Sequence, residues 1–194
     1  LFWGGILVYL VTRLWGVTNY PLAFDGDEAG IVVLGRALLD GGFRDGYGIW
    51  FPIFFAYPNW NPDVGVYVHL LASSVFGVSV TVARVTAVVL SVPAPFALAG
   101  ALRWGFTARG WWLAPYVLSA LPIWFHLSRS AYDSATWVAF FACAVAAYYR
   151  YRYHDPAWAL QFVGASLLTF YSNAVAHLFA VLLTGAALVI DWRY

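Results

Sequence analysis

Three carboxylates fall within four positions at Asp25-Gly26-Asp27-Glu28, directly after an apolar stretch, and the acids of the chain are nowhere else so dense. A carboxylate with a pKa of about 3.9 is ionised at neutral pH and can take the proton of an attacking hydroxyl. The same turn also has a structural use. Asp25 and Glu28 are spaced like a capping box, with Asp25 as N-cap and Glu28 as the third helical residue. That leaves Asp27 without a structural task, which makes it the candidate catalytic base, while Glu28 stands as either a cap or a second acid. Asp25-Gly26-Asp27 further spells an Asp-x-Asp pattern, so a divalent cation at Asp25/Asp27 is an open alternative, although the proton transfer itself requires no cofactor.

Other residues could complete such a site. Arg129 is the first candidate for gripping a phosphate, because a guanidinium pairs bidentately with phosphate oxygens; its alternative is an interfacial Arg reaching for lipid headgroups. Arg84 is a second choice, and Arg36 reads as part of a solvated face. Asp63, just after Pro62, caps its own helix or acts as a second acid. Asp133 either lies near the reactive face or pairs with Arg129, four positions earlier. His126 and His69 could assist with a phosphate, but they have no metal-ligand spacing. Asn173 and His177 are one helical turn apart and either pack between helices or line a groove. Cys143 stands alone in an apolar run, which removes disulfides and thiol metal clusters.

The elements that must hold these residues are membrane helices. Hydrophobic residues make up 63% of the chain and charged ones 10%, far below the roughly 25% of a soluble domain. Aromatic residues reach 20%, as many interfacial ends would require. The ten basic residues, all Arg, are scattered and the net charge is +1, so nucleic-acid binding is excluded. The expectation is an all-α, polytopic transmembrane bundle forming one domain over residues 1–194, as the N-terminal part of a longer protein. Apolar segments 1–17, 80–102, 111–127, 135–149, 158–171 and 174–190 approach spanning length, the last two as a hairpin around Ser172-Asn173.

Residues 18–79 form the expected first extracytoplasmic loop. Within it, residues 29–39 read as a short helix stopped by a left-handed cap at Gly41-Gly42. Residues 49–55 are too short to span and too apolar for water, so they should lie along the membrane surface. Residues 61–77 are read as an interfacial helix, with Gly65, His69 and Ser73 as a polar stripe opposite Val66, Tyr67, Leu70 and Leu71. That placement puts the acidic turn outside the cell and the loops with Arg103, Arg109, Arg150 and Arg152 inside, as the positive-inside tendency asks.

In its order of features the chain resembles the GT-C membrane glycosyltransferases, near the protein O-mannosyltransferases and the aminoarabinose transferases that modify lipid A. The resemblance rests on Tyr20-Pro21 and Asp27-Glu28 opening a short helix after a first span, on Asn61-Pro62-Asp63-Val64-Gly65-Val66-Tyr67, on Phe76-Gly77-Val78-Ser79 followed by Arg84, and on His126-Leu127-Ser128-Arg129. It covers about residues 18–150. Asn61 stands where many relatives carry a charge, and Asp133 where close relatives often have an Arg. The resemblance implies a GT-C fold in the inner membrane and an outward-facing, inverting transfer of a sugar from a polyprenyl-phosphate donor to a lipid, glycan or protein acceptor. Asp27 and Glu28 would then be catalytic, and Arg129, Asp63, Arg84 and His126 would bind substrate. The rival expectations are a transporter or flippase that binds a proton or cation at the acidic turn, and a non-catalytic protein of the same fold.

Overall fold

The computed structural model of the protein describes residues 1–55, 61–62 and 64–192. The protein is 73% helical, and the only sheet among the described residues is a two-residue antiparallel pair, so the class is all-α. The helices are α1 (Phe2–Leu14), α2 (Gly26–Asp40), α3 (Val64–Phe76), α4 (Val80–Ser91), α5 (Pro93–Trp104), α6 (Ala114–Ala120), α7 (Pro122–Leu127), α8 (Asp133–Tyr153), α9 (Ala159–Phe170) and α10 (Ala174–Asp191). The strands are β1 (Phe54–Phe55) and β2 (Asn61–Pro62). Asp63 lies outside the described residues.

Several boundaries follow from local chemistry. Asp25 caps α2 through its side chain, Ser79 caps α4 and Asn173 caps α10, each supplying an acceptor to otherwise unpaired amides of the first turn. At the other end of α2, Phe43 N bonds Leu38 O at 2.7 Å and Gly42 N bonds Leu39 O at 3.3 Å. Gly42 has φ +63°, so the helix closes with a Schellman motif where the glycine pair predicts one. The expected segment 111–127 is not one helix: Leu121, which precedes Pro122, is driven to ψ 111°, and this separates α6 from α7.

The long elements alternate in direction between two ends. At one end, Arg84 near the start of α4 bonds Val17 O beyond α1 and Glu28 of α2, and Asn173 before α10 bonds Asp133 at the start of α8. At the opposite end the Arg150 guanidinium of α8 lies over Trp104 of α5 and over Trp158 just before α9, and Arg152 pairs with Asp191 at the end of α10. Small residues let these helices approach. Ala97 and Ala101 of α5 meet Ala146 of α8 in one buried cluster, with Cys143 packed beside it. The 171–173 turn joins α9 to α10 as the expected hairpin.

α2 and α3 pack together at the first end. Their shared core is Ile31, Leu38, Phe55, Val66 and Leu70. A Cβ on Gly35 would stand 3.0 Å from Val66 O and Leu70 N, so the two backbones are in near contact there. Both ends of α3 belong to this end of the bundle. Val64 N bonds Tyr171 O after α9, and Gly77–Ser79 leads directly into α4. The stripe expected to face water is turned the other way: Gly65, His69 and Ser73 are buried with Val66 and Leu70, while Leu71, Val75 and Phe76 are exposed. Gly35 explains the reversal, because the tight α2–α3 crossing takes the glycine and serine side of α3 inward.

Among the described residues, two stretches are long and apolar enough to cross a membrane, Val80–Trp104 and Ala174–Asp191. Of the other expected spans, α1 has 13 residues, α9 has 12 and 111–127 is broken, whereas α8 runs unbroken for 21 residues with Asp133 in its first turn and Arg150 and Arg152 in its last. The surface of the bundle is apolar and its interior carries charge. Leu178, Leu182 and Leu188 of α10 are exposed, whereas Arg13, Glu28 and Arg84 are each at most 1% exposed. Trp50, Phe51 and Ile53, in the segment expected along the membrane surface, are also exposed.

Candidate active site

The acidic turn is held from three sides. Asp25 Oδ1 accepts from Asp27 N at 3.1 Å and Glu28 N at 3.0 Å, which fixes the first turn of α2. Its Oδ2 accepts from the Tyr132 hydroxyl. This hydrogen bond, with the Glu28 amide second, holds the Asp25 carboxyl below its usual range and pushes the Tyr132 phenol up to about 12.

Glu28 is fully buried. Arg84 Nη2 donates to Oε2 at 3.1 Å and Arg84 Nε to Oε1 at 3.3 Å, and Ala131 N adds a bond to Oε1 at 2.9 Å. Glu28 therefore does not reach back to cap its own helix; its carboxylate joins α2 to α4 and to the turn before α8. The remaining Arg84 hydrogens go to Val17 O, Pro21 O and Ala23 O. With Asp25 capped and Glu28 enclosed, Asp27 is exposed, and its side chain has no hydrogen-bond partner among the described residues.

Arg129, expected near a donor phosphate, is 4% exposed and points inward. Its Nη1 donates to Thr12 O at 2.9 Å, and its Nη2 to Trp15 O at 2.8 Å and Tyr20 O at 3.1 Å. These carbonyls belong to the last turn of α1 and the chain just after it, acceptors that a helix C-terminus leaves open. Arg129 does not pair with Asp133. Asp133 Oδ2 instead accepts from Asn173 Nδ2 at 2.5 Å, and burial pushes the Asp133 carboxyl up, with the charge of Asp27 adding to the shift. Asn173 is thus shared between α8 and the α10 cap. His177 stacks on Phe170 at 4.1 Å, which is a packing position. His126 is exposed, its ring 6.5 Å from that of Tyr132.

Asp25, Asp27, His126, Tyr132 and Asp133 are therefore gathered at one end of the bundle, with Glu28, Arg84 and Arg129 behind them. Arg13 belongs to the same framework and is absent from the sequence reading. It is fully buried and donates to Ser128 Oγ at 3.0 Å, Ser119 O at 3.2 Å and Leu118 O at 2.6 Å. Phe125 lies between the Arg13 and Arg129 guanidiniums, at 5.1 and 4.9 Å. The available signal was a charge inside an otherwise apolar first segment, which by itself demands a partner. For a cation at Asp25/Asp27, Asp25 has both oxygens engaged, and no group of three or more His, Cys, Asp or Glu suited to a metal occurs among the described residues.

Compared with protein-family models, with curated proteins and with solved structures, the chain matches none.

Proposed function

We propose that this chain is a polytopic membrane bundle that carries the proton-accepting side of a glycosyl transfer, with a polyprenyl-phosphate sugar as donor and Asp27 as general base. The carrying observation is the contrast within the acidic turn: Asp25 and Glu28 are held by hydrogen bonds, and Asp27 is exposed on the rigid helix start they define. A base held still but open to an incoming hydroxyl is what such a transfer needs. As the acceptor oxygen bonds to the anomeric carbon, its proton passes to Asp27. The anomeric carbon–phosphate oxygen bond breaks with its electrons leaving on the lipid phosphate, and the configuration inverts. His126 is exposed beside Tyr132 at this end, while Arg84 and Arg129 keep the scaffold in register.

Membrane placement is supported by the two stretches among the described residues that are long and apolar enough to cross a bilayer, and by an exterior of exposed Leu, Val and Trp over an interior of buried Arg and Glu. α3, with both ends at the acidic end and an exposed apolar face, fits a helix lying in the interface rather than a span. The transporter reading asks for acids on broken helices near mid-membrane; Asp27 stands at an end of the bundle and Glu28 is already neutralised by Arg84.

The test is Asp27→Asn in membranes supplied with a polyprenyl-phosphate sugar. Loss of transfer by roughly 10²–10⁴-fold with normal insertion is expected, and undiminished transfer overturns the assignment.

A further inference from the structure

At the end of the bundle away from Asp27, four arginines among the described residues divide into two kinds. Arg150 lies 4.6 Å from the Trp104 ring and 3.9 Å from the Trp158 ring, and Arg152 pairs with Asp191. These two lock α8 to its neighbours. Arg103 and Arg109 are exposed and form no ion pair among the described residues. Ala108 N bonds Leu102 O at 2.9 Å, so the loop after α5 folds back and brings the backbone before Arg109 to that before Arg103. The Arg103 guanidinium rests 5.2 Å from the centre of the Trp111 ring.

We infer that Arg103 and Arg109, backed by Trp111, form a cradle for the headgroup of an anionic phospholipid in the leaflet at this end. Two exposed arginines on one folded-back loop, neither in an ion pair among the described residues, match a phosphodiester, for which arginine offers paired donors. The surroundings have the make-up of a membrane–water interface: Trp3 and Phe106 are exposed at the same end, and indole rings favour that depth. A zwitterionic headgroup carries a compensating cation that two exposed arginines would repel, so the charge selects an anionic lipid. The inference rests on the membrane placement proposed above and is independent of glycosyl transfer.

The experiment reconstitutes the chain into vesicles of phosphatidylcholine alone or mixed with phosphatidylglycerol, then counts retained lipids by native mass spectrometry after detergent extraction. Phosphatidylglycerol should be retained preferentially, and R103Q/R109Q should cut that preference on the order of tenfold. Arg36→Gln, at the opposite end, should leave it unchanged. Equal retention of the two lipids, or a double variant that behaves as the parent, overturns the inference while leaving membrane insertion standing. Displacement of the lipid by inorganic phosphate also overturns it, by making the site one for free anions. Failure to insert into either vesicle removes both this inference and the membrane placement.

Discussion

Glu28 and Arg84 stand 56 positions apart in the chain and meet in an ion pair with both side chains 1% exposed. The pair is useful because each member has further partners: Glu28 accepts from Ala131 N, and Arg84 closes three carbonyls between α1 and α2. Removing one partner leaves the other charge buried and unpaired, which costs about 3–5 kcal/mol. Arg84→Met and Glu28→Leu should each lower the thermal midpoint in detergent strongly. The double change should recover only part of the loss, since the carbonyls that Arg84 served stay unsatisfied. A single variant that melts with the parent would sink this account.

Tyr132 and Asp25 give a second test, through pH. The carboxyl of Asp25 is depressed on folding, first by the Tyr132 hydroxyl, so its stabilisation is present above the unfolded pKa of 3.8 and is lost as pH falls through the lower folded value. The phenol of Tyr132 is raised to about 12, so its contribution is full below pH 10 and is lost as pH rises through 12. Tyr132→Phe should shift the acid transition to higher pH and delete one late-titrating phenol from the ultraviolet absorbance titration. If the parent shows no tyrosine titrating later than the rest, the hydrogen bond is not formed in solution.

The acid limb of stability also depends on His69. Burial lowers its pKa to about 4 from 6.5, so between those values the unfolded chain binds more protons and stability falls as pH drops. The shift corresponds to a loss on the order of 3 kcal/mol once pH is below 4. His69→Leu should flatten the slope of stability between pH 6.5 and 4 without changing it above pH 7. An identical slope in both proteins would show that the imidazole is hydrated rather than enclosed.

Local chemistry was legible in the residues and long-range pairing was not. The Asp25 cap, the Gly42 stop and the α9–α10 turn each depend on neighbours within a few positions, and each lies where spacing puts it. Glu28 shows the limit: its capping-box spacing is correct, yet a cation 56 positions away in sequence competes more strongly than its own helix amide. The polar stripe of α3 was visible as a stripe, but its direction was set by Gly35 of another helix, whose missing side chain admits the α3 backbone. Arg13 was hidden by the apolarity of its surroundings, although a charge there has no neutral explanation. Spanning length misled at residues 111–127, where hydropathy does not register the backbone restriction that Pro122 places on Leu121.

Arg129 separates a substrate contact from a structural clamp. Its Nη atoms hold carbonyls of Thr12, Trp15 and Tyr20 in a fork that spans the end of α1, and lysine, a single charged point, cannot reproduce that fork. Arg129→Lys should therefore lower thermal stability by about 1–3 kcal/mol through unsatisfied acceptors. Its apparent affinity for a polyprenyl-phosphate donor, measured below the melting range, should stay near the parent value. His126→Ala should show the reverse, with stability kept and donor affinity reduced, because that imidazole is exposed beside Tyr132 and packs little. A lysine variant as stable as the parent but with weakened donor binding would return Arg129 to the phosphate and move the clamp elsewhere.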